Sequence, residues 1–336
     1  MASLLAPAYV LTLGSQRWTQ QLLAIDLRLA AAPGTNQLTA RFPAAAPLSA
    51  GPGDPVILSL DGGEGAQTVF TGLIDAVRRG LETIEVTAYD ALGQLARYRP
   101  AATFEKASAG TVIKALAGDA GATAGQIADG VMLAFYAADP SRSAADHASR
   151  LAAWSGALLT ADGDGNLNAA VLDTSHADLA LRYGREILAF DLNQGSAPDT
   201  VTVAGESGAG STDSPDALRL SADPFAGNRP DGPSLGNHWT WEPALRTAQA
   251  AAGAGAALQR ALKSNRGGGA LRVFAQPKLR PGVVIEVADL PPGLAKGPFW
   301  LDRVRHTLTP EGAVTTARFK GGGDRAAPSL LAGLGL

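Results

Sequence analysis

The chain has no cysteine, which excludes a disulfide framework, thiolate zinc sites and cysteine nucleophiles. No apolar run approaches the ~20 residues that span a bilayer, and the start lacks a charged segment leading into an apolar core. A soluble chain without a standard export signal or a membrane partner is expected. Positive charge is also in short supply. The net charge is −3 and the isoelectric point about 5.8, and basic residues are scattered, the densest groups being Arg78-Arg79 and Arg303 with Arg305. Holding nucleic acid by its phosphates needs clustered Lys and Arg, so specific nucleic-acid binding is not expected. Aromatic residues make up only 6%.

Glycine (40) and proline (21) are plentiful among the 336 residues, and 46% of the chain is apolar. These values predict a β-rich protein of two or three domains with many turns. The most informative stretch runs from Gly51 to Tyr98. After the turn at Gly51-Pro52-Gly53-Asp54 come Val56 to Leu60, a break at Asp61-Gly62-Gly63, and a second strand from Val69 to Val77. In a third strand Ile84, Val86 and Ala88 alternate with Glu85, Thr87 and Tyr89, the period of a half-buried strand.

The same order of parts returns near the C-terminus. Pro281-Gly282 releases Val283 to Val287, Pro291-Pro292-Gly293 breaks it, and Phe299 to His306, a turn at Pro310-Glu311-Gly312 and Val314 to Phe319 follow. Gly53 to Phe70 and Gly282 to Phe299 are both separations of 17 residues. One chain therefore reads as carrying two equivalent β units, so that three chains present six.

Between the units the pattern turns helical. Ser108 caps a helix with Val112, Ile113, Leu116 and Ala117 on one face, and Ser143 with Asp146 makes a capping box for a second helix ending at Trp154. The hairpin at Asp162-Gly163-Asp164-Gly165-Asn166 follows. The expected fold is a β-rich α+β one: two similar tube-type β-barrel domains, 1–98 and 185–320, around a small α/β insert at 99–184, with a flexible apolar tail at 321–336. The second β domain is expected to hold a long loop over 205–236 and a helix running from Pro243 to about Lys263.

Few residues suggest chemistry. Asp162, Asp164, Asn166 and Asp173 imitate a calcium loop, but Leu167 stands where its glycine belongs and the flanks read as strands, so a hairpin turn is favoured. Gly205-Glu206-Ser207-Gly208-Ala209 imitates a hydrolase nucleophile elbow without its closing glycine or helix. His147, His176, His238 and His306 have no partner at ligand spacing. Gly253 and Gly255 lack the third glycine of a dinucleotide loop. Asp61 and Glu64 read as loop carboxylates. Trp239 and Trp241 read as a staple for the following helix, with a sugar-stacking surface as the alternative. No catalytic residue, metal ligand or cofactor is expected.

Gly53-Asp54-Pro55-Val56, Val69-Phe70-Thr71-Gly72, Thr87 to Arg97, the helix after Ser108, Ala152 to Ala157, Pro281-Gly282 and Trp300 to His306 together resemble the phage late control gene D family, the baseplate hub proteins of contractile tails and related injection systems. The resemblance implies a homotrimeric hub of pseudo-sixfold symmetry, joining a hexameric tail tube protein to a trimeric spike among baseplate wedge proteins, in a virion tail or equivalent particle made in the bacterial cytoplasm. Some relatives continue into a spike on the same chain. This sequence ends at Leu336, which implies a separate spike protein. A tail-associated cell-wall hydrolase and a carbohydrate-binding module are the alternatives. Glu85, Thr87, Thr315 and Arg318 are expected to face the channel or a neighbouring subunit, and the mild acidity implies a lumen without basic patches.

Overall fold

The computed structural model describes residues 8–196, 198, 200–206, 237–292, 294 and 296–321. Residues 1–7, the stretch 207–236 with Ser207 and Ala209, and the tail after Gly321 lie outside the described residues.

The first half holds β1 (Ala8–Leu13), β2 (Gln16–Trp18), β3 (Ala24–Ala30), β4 (Gln37–Pro43), β5 (Pro55–Asp61), β6 (Ala66–Arg79), β7 (Thr83–Tyr89) and α1 (Ala91–Arg97). The middle holds β8 (Ala102–Ser108), α2 (Ala109–Asp119), β9 (Ala124–Ile127), β10 (Met132–Ala138), α3 (Ala144–Trp154), β11 (Ala157–Ala161) and β12 (Leu167–Val171). The last part holds β13 (Leu179–Arg182), β14 (Ile187–Gln194), β15 (Thr200–Ala204), β16 (Asn237–Trp241), α4 (Ala248–Ser264), β17 (Gly267–Phe274), β18 (Val284–Ala288), β19 (Phe299–Thr309) and β20 (Gly312–Gly321).

The two β units have one strand order. In the first it is β3-β4-β7-β6-β5-β1, and in the second β14-β17-β20-β19-β18-β13. Only the last pairing differs, antiparallel for β1 with β5 and parallel for β13 with β18. Local details repeat as well. Gly53 (φ 91°) and Gly282 (φ 90°) adopt a backbone that disfavours other residues. The Gly53 N–H donates to the Ile74 carbonyl and the Ile74 N–H returns a bond to Asp54, at 2.8 and 2.9 Å. Gly282, Leu301 and Val283 do the same at 2.8 and 3.0 Å. One residue later each long strand bulges at an aspartate, Asp75 in β6 and Asp302 in β19.

This register makes Ile74 the counterpart of Leu301 and puts Phe299 in the place of Gly72, not of Phe70. The glycines separated by 17 residues from a phenylalanine are equivalent, while the phenylalanines are not.

The units are not separate domains. β19 of the second pairs antiparallel with β3 of the first, from Arg303↔Ala30 to Leu308↔Ile25, and this joins both into one 13-stranded sheet. One core serves both, with Leu27, Phe42, Leu58 and Phe70 in continuous contact with Leu271, Phe299 and Phe319.

The insert has its own core, in which α2 and α3 offer Val112, Ile113, Leu116, Ala148 and Leu151. Ser108 caps α2 and the Ser143/Asp146 capping box starts α3, each as the sequence predicts. The boundaries differ from expectation. α1 and α4 contribute Leu92, Leu95, Ala250, Ala251 and Ala254 to the insert core, so a helix assigned to the second β domain completes the middle one. Its start also differs: Thr247 caps α4, its hydroxyl accepting from the Ala250 N–H at 3.1 Å. A bonded hydroxyl cap outcompetes Pro243, because residues 242–246 are taken up by turn hydrogen bonds.

The β11–β12 hairpin locks the insert to the sheet. Gly163 lies so close to β6 that an added Cβ would sit 2.1 Å from the Thr68 carbonyl oxygen, and its own carbonyl accepts from the Thr71 hydroxyl at 2.8 Å.

Candidate functional site

Strand alternation gives the large sheet one face on the core and one polar face. On the polar face Asp26 and Arg28 of β3, Thr39 and Arg41 of β4, Glu85 of β7, and Arg305 and Thr307 of β19 line a shallow depression of about 340 Å³ over the seam between the units. Asp26 is its centre. It accepts from Arg305 at 2.6 and 3.0 Å and from Arg28 at 2.9 and 3.1 Å. Partial burial works to raise its pKa, but the two guanidinium groups outweigh it and hold the carboxyl below the usual carboxylate range. Arg41 and Glu85 sit opposite each other and pair at 2.9 Å.

Glu85, Thr87 and Arg318 all lie on this polar face, Glu85 and Thr87 half-buried and Arg318 exposed. Thr315 does not. It is fully buried, pairs with His306 across the strands, and occupies the inward position that Ile84 has in the first unit. Thr315 and Arg318 are three residues apart on one strand, so a period of two sends them to opposite faces. The counterpart of Glu85 is Thr316.

Arginines far apart in the sequence also gather here. Register sets Arg28 beside Arg305, Arg305 beside Thr316 and Thr316 beside Arg272, while Arg303 and Arg318 face each other directly. This face is therefore richer in arginine than the mild overall acidity suggests. Only Arg303 with Arg305 was visible in the sequence, because Arg28, Arg272 and Arg318 join them through strand pairing.

The other candidates have structural duties. The Nε2–H of His306 donates to the Leu279 carbonyl at 3.2 Å and its Nδ1 accepts from the Thr315 hydroxyl at 2.9 Å, while the Gln276 N–H donates to that hydroxyl at 3.1 Å. Complete burial pushes the His306 pKa down to about 4. His147 is enclosed likewise, with the Tyr136 hydroxyl at 2.7 Å and the Asp139 carbonyl at 3.0 Å, and burial pushes Tyr136 up to about 12. The Asp162 carboxylate accepts from Asp164, Asn166 and Asn168, closing its own hairpin. Asp61 accepts from Gly63 and Gly65, and Glu64 pairs with Lys278 at 2.6 Å. Trp239 and Trp241 staple no helix. They stand half-exposed on β16, whose partner is β15, and α4 starts only after a further turn.

The buried titratable groups predict a compensated pH response. His306, depressed to about 4, adds stability that is complete above its unfolded pKa of about 6.5 and is lost as pH falls towards 4. Asp90, raised to about 6 by burial, adds stability that is complete below about 4 and is lost as pH rises through 6. The two oppose each other between pH 4 and 6.5. Removing one titration with Asp90→Asn should expose the other, so that urea unfolding of the variant shows stability rising by about 2–3 kcal/mol from pH 4.5 to 7. A flat profile in the variant would contradict this.

A family model described as YQBQ-like matches residues 28–137. No curated protein matches the sequence. Among solved structures, the chain is similar to a tail protein from Neisseria meningitidis MC58, with a TM-score of 0.68 and 15% identity over 94% of this chain and 97% of that one. It is equally similar to the 43 kDa tail protein of prophage MuSo2 from Shewanella oneidensis, with a TM-score of 0.67 and 15% identity over 94% and 99%. The E. coli c3393 protein, a type VI secretion system component described as structurally similar to the T4 tail proteins gp27 and gp5, gives 0.63 and 11% over 95% and 79%. The fold is thus that of phage tail proteins and related secretion components.

Proposed function

We propose that this chain is a structural baseplate hub of a phage tail or related injection particle. Three copies form a ring of six like β units, which matches a hexameric tail tube on one side and receives a trimeric spike on the other, with wedge proteins around it. The observation that carries this reading is the repeated strand order, because a chain that folds one unit twice can present near-sixfold symmetry as a trimer. The polar face of the sheet, with Glu85, Thr87 and Arg318, is assigned to the channel or a subunit contact. The role is architectural, with no catalytic step.

The mass of the purified chain, by analytical ultracentrifugation alone and with the tube protein of the same particle, tests the proposal. A trimer in either setting is expected. A monomer in both would overturn it.

A further inference from the structure

The contact between the two units inside one chain also describes a contact between chains. Within the chain, β3 of the first unit pairs with residues 303–308 of β19 in the second. Each partner has a counterpart, and both counterparts are open among the described residues. β14, the equivalent of β3, pairs over residues 189–194 only with β17 among the described strands. Residues 76–79 of β6, the equivalent of 303–306, pair only with β7 among the described strands. Two unused edges therefore exist on one chain, and the pair of edges that already bind each other shows how they fit.

We infer that β14 of one copy adds to the 76–79 edge of β6 in a second copy, with the register of the internal seam. This places Val77 opposite Gln194, Arg78 opposite Asn193 and Arg79 opposite Leu192. The side chains at both edges agree with it. Inside the chain the seam is fastened by Arg305 on Asp26 at 2.6 Å. The counterpart of Arg305 is Arg78 and that of Asp26 is Asp191, so the same ion pair forms between copies with the same signs. Both are exposed, and neither makes a side-chain hydrogen bond or ion pair among the described residues.

Apolar surface points the same way. Leu81, at the hairpin tip beside the β6 edge, is 101% exposed. The added strand brings Phe190 up to it, as Ile25 comes up to Leu308 in the internal seam, where Leu308 is only 5% exposed. Each copy offers one edge of either kind, so the contact is head-to-tail, the kind that makes a ring when its rotation closes, as the proposed trimer requires. The ring leaves neither strand edge open.

This inference rests on the ring-forming hub proposed above, and the test separates the two. Arg78→Glu and Asp191→Arg each set like charges together and are expected to lower the trimer association constant at least about tenfold, while the double variant restores it. A second measurement uses the absence of native cysteine. Directly opposed residues on paired strands stand within reach of a disulfide. Arg78→Cys with Asn193→Cys in one chain is expected to give covalently closed trimers on oxidation, and each single variant none. If the wild type is a trimer but the charge variants leave it unchanged and the double-cysteine chain does not cross-link, the edge pairing is wrong and the hub reading stands. A wild type that stays monomeric, alone and with the tube protein, removes both.

Discussion

Asn36→Ala is expected to lower the unfolding free energy by about 3–5 kcal/mol at pH 8, and by clearly less at pH 5. Asn36 is 1% exposed and serves two groups at once. Its Oδ1 accepts from the Ala30 N–H at 2.7 Å, and its Nδ2 donates to Asp90 at 2.6 Å. Asp90 is the cap of α1, taking the N–H groups of Leu92 and Gly93 at 3.0 and 3.4 Å. The alanine leaves a strand amide without its acceptor and a buried carboxylate without its strongest donor.

The pH dependence follows from the sign of the shift. Burial already raises Asp90 to about 6, and the Asn36 hydrogen bond works against that rise. Without this bond the folded pKa climbs further, so the variant keeps the benefit of a neutral Asp90 in acid and loses more than the wild type as pH rises. Urea titrations at the two pH values measure it. A loss below about 1 kcal/mol at pH 8 would show that Asn36 is not the joint between the first β unit and the insert.

Phe299→Ala carries the second large effect, a loss of about 3–5 kcal/mol. Phe299 is completely buried, 4.6 Å from the Phe319 ring and 6.0 Å from Phe190, and the last two rings stack at 5.2 Å. The space at Gly269 is already taken by Phe319 and cannot help to close the gap: a Cβ there would lie 2.7 Å from that ring and 1.8 Å from the Asp191 carbonyl oxygen. Phe190 sits on the edge strand β14, so the same substitution is expected to weaken trimer formation. A thermal or urea scan showing a loss under about 1.5 kcal/mol would mean that the second unit repacks.

These rings also explain why the repeat is faint in the sequence. Where the first unit sets Leu38 against Ala88, the second sets Gly269 against Phe319. Where the first has Gly72 and Ile25, the second has Phe299 and Phe190. In the first pair large and small residues have exchanged places, and in the second a glycine and an isoleucine have become two phenylalanines; both changes erase identity. Among the identities that survive are Asp26 with Asp191, Arg305 with Arg78, Asp75 with Asp302, and the two turn glycines.

The sequence by itself determined most strands of the two β units, the capped helices, the insert and the existence of a duplicated unit, though not β4, β8 or β10, because alternation, caps and left-handed glycines act over a few residues. Of the four residues expected at the channel or a subunit contact, Glu85, Thr87 and Arg318 share one polar face, while Thr315, whose parity is opposite, is buried. Only the tertiary structure decided that the units share one sheet and one core, that α4 completes the insert, and that arginines of four strands meet. Those outcomes depend on which strand edges pair and in what register, a choice set by packing across the whole core and written in no single segment.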